Sequence, residues 1–232
     1  MYPELCVQSL VTSKWWVKHE ANSLCRGALI QAFVPHVDQT PYGFELVGRN
    51  SADKHDTAIV KVGPIKVDQP LKPTSLPVAA MPLNGGEIWG AYRAKKRPCL
   101  VLSCDHPIVN SELTKGMAHH STAQTCVVAP YYGVTKNHTR SGYRKEFVER
   151  VQQCEYPQFF WDHLPFVDGE ESILRLDQMQ PIGTHHHAYK LSTHKLSDEA
   201  LSLIDDMLSW LVWGGVAPDS QILAYRELIE AL

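Results

Sequence analysis

The chain has 232 residues, and its 22 lysines and arginines against 25 aspartates and glutamates give a formal net charge of −3. This balance excludes binding of nucleic acid through a globally basic surface. Seven of the acids lie in residues 197–232, so the net charge conceals basic segments in the rest of the chain. A hydrophobic fraction of 44% is ordinary for a globular protein and suffices for a buried core. The most apolar run, residues 207–217, is too short to span a bilayer, and no signal segment begins the chain. We therefore expect a cytoplasmic protein without a membrane partner.

The cysteines and histidines do not indicate metal or disulfide chemistry. The six cysteines are scattered without a Cys-x-x-Cys pair, which argues against a zinc site and fits reduced cytosolic thiols. His185, His186 and His187 are consecutive, and neighbours on a regular strand point to opposite faces, so they cannot converge on one metal from a strand. We expect them in an exposed loop, and we expect neither a metal nor a cofactor.

Residues 1–82 are predicted to form a β-rich N-terminal extension that ends in a proline-rich linker. Residues 29–34 and 57–62 are apolar and β-branched, bounded by Gly and Pro, which predicts two strands. Prolines then recur from position 64 to position 82, a spacing typical of an extended linker or of an edge segment that wraps on the rest of the fold. Four aromatic residues of this region are predicted to be core residues rather than base-stacking platforms: Trp15, Trp16, Phe33 and Tyr42.

Residues 86–103 are predicted to form two strands joined by a basic turn. The first strand opens with Ile88 and Trp89, and the second begins at Pro98, which cannot donate a hydrogen bond to a neighbouring strand. Between them lie four cations in five positions: Arg93, Lys95, Lys96 and Arg97. Such a turn is either simply solvated or a binding site for phosphate.

The remaining chain predicts two more strands and three helices. Residues 125–130 and 171–178 are predicted strands, and alternation along the second places Arg175 and Asp177 on one face. Between them, residues 142–154 show helical spacing, and the basic Lys136 and Arg140 before this helix either are solvated or extend a path for RNA. Ser197 is predicted to cap a helix that ends near residue 214, and a second helix follows after residue 218.

Three of these segments resemble the MazF/PemK toxins, which are small ribosome-independent endoribonucleases. The matching segments are residues 86–89 (Gly-Glu-Ile-Trp) with Arg97-Pro98 and the apolar strand that follows, residues 125–130, and residues 171–178, which resemble the PemK-branch strand carrying Arg-x-Asp-Gln. The resemblance covers about residues 84–195. It implies a mainly β fold with helices, an SH3-like barrel of the MazF/PemK/CcdB kind at 83–195, with the inserted helix at about 142–154. A pair of C-terminal helices at 196–232 would pack on this barrel.

The resemblance implies a metal-independent endoribonuclease, the toxin of a toxin–antitoxin system, which cleaves RNA through a 2′,3′-cyclic phosphate. Its partners would be RNA, an antitoxin protein and a second copy in a homodimer. Arg97, Arg175 and Asp177 would be catalytic, with Asp177 as the base and Arg175 as the proton donor. We expect RNA to be contacted by the cations and tyrosines near these segments: Arg93, Lys95, Lys96, Tyr131, Tyr132, Lys136 and Arg140.

The chemistry of these residues leaves a second role open for Asp177. Two guanidinium groups around one phosphate form a sound clamp, so Arg97 and Arg175 suit an electrostatic role. An arginine, with a pKa above about 12, is a poor proton donor at neutral pH. Asp177 is therefore either the base that the resemblance implies or a partner that fixes Arg175 by a salt bridge.

Two other functions remain open from the sequence. The barrel is alternatively a catalytically degenerate module that binds RNA or a protein partner in regulation or phage defence. Two features favour this reading, a short first loop without histidine between Trp89 and Arg97, and Tyr131-Tyr132 where the family tends to place Thr or Ser. A third possibility is that the chain inhibits a topoisomerase, as a protein of the same fold does. Such inhibition needs no catalytic arginine.

Overall fold

The computed structural model describes residues 2–3, 5–20, 23–68, 81, 83, 86–116, 124–135, 142–166 and 171–231. Its strands and helices, in chain order, are β1 (Trp16–Lys18), β2 (Ala28–Pro35), β3 (Tyr42–Gly48), β4 (Ile59–Pro64), β5 (Trp89–Ala91), β6 (Ala94–Ser103), β7 (Thr125–Gly133), α1 (Lys145–Gln152), β8 (Phe159–His163), β9 (Glu171–Arg175), β10 (Gln180–Gly183), β11 (Tyr189–Leu196), α2 (Asp198–Trp213) and α3 (Gln221–Glu230). The described part of the chain is mainly antiparallel β-sheet with three α-helices, which confirms the predicted class of a mainly β protein with helices.

The chain divides into two compact units, a main unit of residues 1–33 and 96–232 and a second unit of residues 34–95. The main unit is built on a curled, half-barrel sheet of eight strands in the order β1-β11-β2-β6-β7-β9-β8, with β10 paired to β7. β1 and most of β2, from the predicted N-terminal extension, thus share a sheet with β6, β7 and β9. The predicted boundary at residue 82 and most of the proline-rich linker lie outside the described residues.

The second unit is a three-stranded antiparallel sheet in the order β4-β3-β5. The strand predicted at residues 57–62 is present as β4, whereas β3 was not predicted. Tyr42, at the start of β3, is 51% exposed, and Phe33 of β2 is 67% exposed, so the prediction that both are core residues is wrong. Trp15 is buried, as predicted.

The predicted basic turn is wrong, because most of its cations belong to a strand. β5 ends at Ala91 and β6 begins at Ala94, so Lys95, Lys96 and Arg97 lie within β6. β5 and β6 also belong to different sheets and do not form the predicted hairpin. Pro98 is inside β6 rather than at its start. The paired register with β7 begins one residue later, where Cys99 lies opposite Pro130.

The predicted pair of C-terminal helices is present, and it packs on the main sheet. The Ser197 side chain accepts a hydrogen bond from the Ala200 backbone N–H and so caps α2, which ends at Gly214 with a φ of 77°. Ser220 caps α3 in the same way. Buried residues of both helices share one hydrophobic cluster with the sheet: Ala200, Leu203, Ile204, Met207, Ile222 and Tyr225 with Leu100, Ala129 and Leu174. None of the helices that the structure describes has the length and apolarity needed to cross a bilayer.

A second cluster lies under α1, which is shorter than the predicted helix at residues 142–154. Val148 and Val151 of α1 pack against Trp161 of β8 and Ile173 of β9. Tyr131 of β7 belongs to the other cluster, the one under α2 and α3. The two clusters therefore cover opposite faces of the sheet, since side chains alternate along each strand.

A fully buried aspartate lies beside the first cluster. The carboxylate of Asp162 on β8 accepts hydrogen bonds from the hydroxyls of Tyr2 and Tyr131 at 3.1 and 3.0 Å. The Trp16 indole N–H and the His163 backbone N–H also donate to it, at 3.2 and 2.7 Å. No cation among the described residues forms an ion pair with it. Burial therefore outweighs these hydrogen bonds and raises the pKa of Asp162 to about 6.

Asp162 is expected to make the folded protein less stable as the pH rises through 6. The folded protein holds this proton more tightly than the unfolded chain, whose carboxyl titrates near 3.8, so this group stabilises the fold at low pH and the benefit is lost above the folded pKa. The shift corresponds to about 3 kcal/mol of unfolding free energy between about pH 4 and pH 7. Denaturant unfolding of the wild type and of Asp162→Asn across this range measures it. An equal pH slope in both proteins would contradict the assignment.

Candidate functional site

The order of three neighbouring strands brings Arg97, Tyr132 and Arg175 to one face of the main sheet. Continuing the β6–β7 register by two residues from Cys99 places Arg97 opposite Tyr132. On the other side of β7, Tyr132 lies opposite Ile173 of β9, and Arg175 is two residues further along the same strand. Residues two apart on a strand share a face, so the three side chains meet although the chain separates them widely.

The two guanidinium groups share the ring of Tyr132. The Cζ atom of Arg97 lies 3.7 Å from the ring centroid and that of Arg175 lies 5.5 Å from it. Arg175 also lies 4.9 Å from the ring centroid of Phe159, which is opposite it on β8. A guanidinium group within about 6 Å of an aromatic face is attracted by the ring. The Tyr132 hydroxyl in turn donates to Gln178 Oε1, which links this ring to the turn after β9.

Arg97 carries a charge that no described carboxylate balances. Its Nε is buried without a hydrogen-bond partner, and within the described ranges it belongs to no ion pair. A buried donor without a partner costs free energy, and a charged one costs more. An anion placed beside the guanidinium group of Arg97 would therefore supply the missing countercharge.

Arg175 and Asp177 form a bidentate ion pair. Arg175 Nε donates to Asp177 Oδ1 at 2.7 Å, and its terminal nitrogen donates to Oδ2 at 2.6 Å. Both side chains are partly exposed, at 20% and 33%. These hydrogen bonds to Asp177, with a smaller contribution from Tyr143, hold the pKa of Arg175 above its ordinary value. Arg175 thus stays protonated at neutral pH, which suits an electrostatic role better than that of a proton donor.

The predicted strand placement of Asp177 is wrong. β9 ends at Arg175, and residues Leu176–Gln178 form a single 3-10 turn in which Leu176 is fully buried. The turn folds Asp177 back onto Arg175, so that both carboxylate oxygens accept from one guanidinium. Of the two roles that the sequence left open, the observed geometry is that of a partner that fixes Arg175.

The other predicted RNA-binding residues differ in burial and in the part of the structure to which they belong. Tyr131 is buried, and its hydroxyl donates to Asp162, so it is not accessible beside Tyr132. Lys96 is exposed next to Arg97 on β6, where alternation directs it to the opposite face. Arg93 and Lys95 are exposed and are counted with the second unit, although Lys95 lies on β6, two residues before Arg97. The two remaining cations, Lys136 and Arg140, lie outside the described residues.

Three residues at the site were not predicted as site residues: Gln178, Phe159 and Tyr143. Gln178 had a signal, since it is the last residue of the Arg-x-Asp-Gln motif. Nothing in the local sequence indicated that Phe159 would lie opposite Arg175. Tyr143 precedes α1 and is held near β7 by its backbone N–H, which donates to the Val134 carbonyl at 3.0 Å.

His185, His186 and His187 lie in an exposed turn, as predicted, and no group of metal-ligating side chains occurs among the described residues.

Comparison with models of known protein families and with curated proteins finds no match to this chain. The case for this candidate site therefore rests on the arrangement of two guanidinium groups, one aromatic ring and one carboxylate.

Proposed function

We propose that the chain is a MazF/PemK-like endoribonuclease that cleaves RNA without a metal ion. The observation that supports this most is that Arg97 and Arg175 contact the same Tyr132 ring. The two matched motifs that carry these arginines lie far apart in the sequence. Their meeting at one partly exposed place is what a clamp for one phosphate requires.

The charge of the site suits a phosphodiester. Arg97 and Arg175 are cationic, and Asp177 offsets one of the two charges through its ion pair. One net positive charge remains, which matches the single negative charge of a phosphodiester link. Such a link would have Arg97 as its main charge-assisted donor, with Arg175 held in place by Asp177 and Tyr132.

In the proposed reaction, the ribose 2′-oxygen attacks the adjacent phosphorus while its proton passes to a base, either Asp177 or water. The bond between phosphorus and the 5′-oxygen breaks, and that oxygen takes a proton from water. The products are a 2′,3′-cyclic phosphate and a 5′-hydroxyl. Both arginines would stabilise negative charge that grows on the phosphate oxygens, in a site whose dipoles are already oriented. Asp177 is the base only if bound RNA draws at least one of its oxygens away from Arg175.

The wider proposal follows the family resemblance. The main unit would be an SH3-like barrel, acting in the cytoplasm as a growth-inhibiting toxin, restrained by an antitoxin protein and assembled as a homodimer. The curled antiparallel sheet and the helices packed on it are compatible with this architecture.

The test is incubation of the purified protein with a diverse RNA pool in the presence of a metal chelator. We expect discrete fragments with 2′,3′-cyclic phosphate and 5′-hydroxyl ends, and none from the Arg97→Ala/Arg175→Ala double variant. RNAs that remain intact with the wild type would reject the nuclease proposal. Ends with 3′-hydroxyl and 5′-phosphate groups would reject the proposed chemistry.

A second candidate function is a catalytically degenerate barrel that binds RNA without cutting it. The bidentate pair favours it, because both Asp177 oxygens are already bound to Arg175 at 2.7 and 2.6 Å. Binding of RNA that depends on Arg97, without any cleavage, would support this function over the first.

A further inference from the structure

The second unit has an exposed aromatic face that the proposed cleavage site does not include. In its sheet, Phe44 of β3 lies directly opposite Trp89 of β5, and Tyr42 lies opposite Ala91. Opposite residues in an antiparallel pair share a face, as do residues two apart on one strand. Tyr42, Phe44 and Trp89 therefore lie on a single face of the sheet.

Two of the three rings on this face are open to solvent, and the positions paired with the rings carry no charge. Tyr42 is 51% exposed and Trp89 is 39% exposed. The charged pair of the sheet, Glu45 opposite Lys61, lies on the other face. Neighbouring exposed aromatic side chains of this kind make the face a candidate binding surface.

Two cations stand at one end of the aromatic face. Tyr42 is opposite Pro64 of β4 and Ala91 of β5, and both strands run in the same direction. Two residues beyond these positions the chain reaches Lys66 and Arg93, which are both exposed. Within the described residues neither cation belongs to an ion pair.

We propose that this face binds single-stranded RNA, with bases stacked on Tyr42 and Trp89 and phosphates at Lys66 and Arg93. Flat rings accept any base by stacking, and cations beside them attract the backbone, which is the usual composition of a sequence-tolerant single-strand site. The cations at the end of the face favour a polyanion over an apolar protein partner. This binding requires no cleavage, so it does not depend on the proposed nuclease activity.

The test is fluorescence anisotropy with the full chain and a labelled single strand of 2′-O-methyl RNA, about 12 nucleotides long. This probe has no 2′-hydroxyl and cannot be cleaved by the proposed reaction. We expect Tyr42→Ala and Trp89→Ala each to raise the Kd by roughly 5- to 150-fold, because each removes a stacked base. Tyr42→Phe and Trp89→Phe keep the ring and should bind as the wild type does.

The cations and a control on the opposite face make the test specific. Lys66→Ala and Arg93→Ala should each reduce the slope of log affinity against log salt by about 0.7. Lys61→Ala removes an exposed cation on the other face, opposite Glu45, and should change neither the Kd nor the salt slope. Circular dichroism and thermal melting establish that each variant is folded, and Tyr42→Ala decides the outcome if Trp89→Ala unfolds.

Unchanged binding of the probe by folded Tyr42→Ala would overturn the proposal, whether the face then proves to be a protein-docking surface or to be unoccupied. Binding that is lost in Arg97→Ala but kept in Tyr42→Ala would assign all RNA binding to the Arg97 site and would equally overturn it. Binding that is kept in Arg97→Ala and lost in Tyr42→Ala supports it, even if the protein cleaves no RNA.

Discussion

Arg97→Ala is expected to abolish RNA cleavage, with kcat/KM falling by at least about 100-fold. Arg97 supplies the charge that no described carboxylate offsets, and its guanidinium carbon is 3.7 Å from the centre of the Tyr132 ring. Without it the phosphate meets only Arg175, whose charge Asp177 already offsets. The measurement is kcat and KM on an RNA that the wild type cleaves.

Two control variants separate the role of Arg97 from the effect of total charge. Arg97→Lys keeps the charge but loses the planar group, so we expect it to recover only part of the activity. Lys190→Ala removes an exposed cation of β11 and should match the wild type. Full cleavage by folded Arg97→Ala would show that the site lies elsewhere. Growth inhibition that survives Arg97→Ala would instead point to the topoisomerase alternative.

Arg175→Ala is expected to be far more damaging than Asp177→Asn. Removing Arg175 leaves Asp177 as an unpaired carboxylate beside the bound phosphate, so loss of attraction is joined by repulsion. We expect a fall in kcat/KM of at least about 100-fold for Arg175→Ala. For Asp177→Asn we expect a fall of no more than about tenfold, with a lower KM because the site becomes more positive.

The comparison also decides whether Asp177 is the base. Loss of a general base costs roughly 100- to 10,000-fold and removes the acidic limb of the pH–rate profile. The bidentate pair in the structure leads us to expect neither. If Asp177→Asn is as inactive as Arg175→Ala and its pH profile becomes flat, Asp177 is the base, and the positioning role is wrong.

Parts of the site were predictable because they lie in contiguous motifs. Arg97 precedes Pro98, and Arg175 and Asp177 belong to one Arg-x-Asp-Gln segment, so the sequence indicated all three. Tyr132 was predicted only as an RNA contact. Its role as the ring shared by both arginines depends on β7 lying between β6 and β9. Strand order cannot be derived from a local sequence pattern.

The errors in the fold have a similar cause. Tyr42 and Phe33 were predicted to be buried because large aromatic side chains are more often part of a core than of a binding surface. The three-stranded sheet of the second unit leaves the Tyr42 face exposed. Asp177 was assigned to a strand by alternation. β9 instead ends at Arg175, two residues before Asp177, and Leu176 is fully buried in the turn that follows.

The sequence by itself determined the mainly β class, the two C-terminal helices and the identity of the charged motifs. Helix ends depend on hydrogen bonds between near neighbours, such as Ser197 to Ala200, and these can be derived from a few consecutive residues. Only the tertiary structure decided that Arg97 and Arg175 meet at Tyr132, that Tyr131 faces Asp162 instead, and that Tyr42 and Trp89 lie open to solvent. Each of these depends on which strands, distant in sequence, pair with one another and on what packs over them. Many alternative pairings have similar local propensities, so the sequence alone does not select among them.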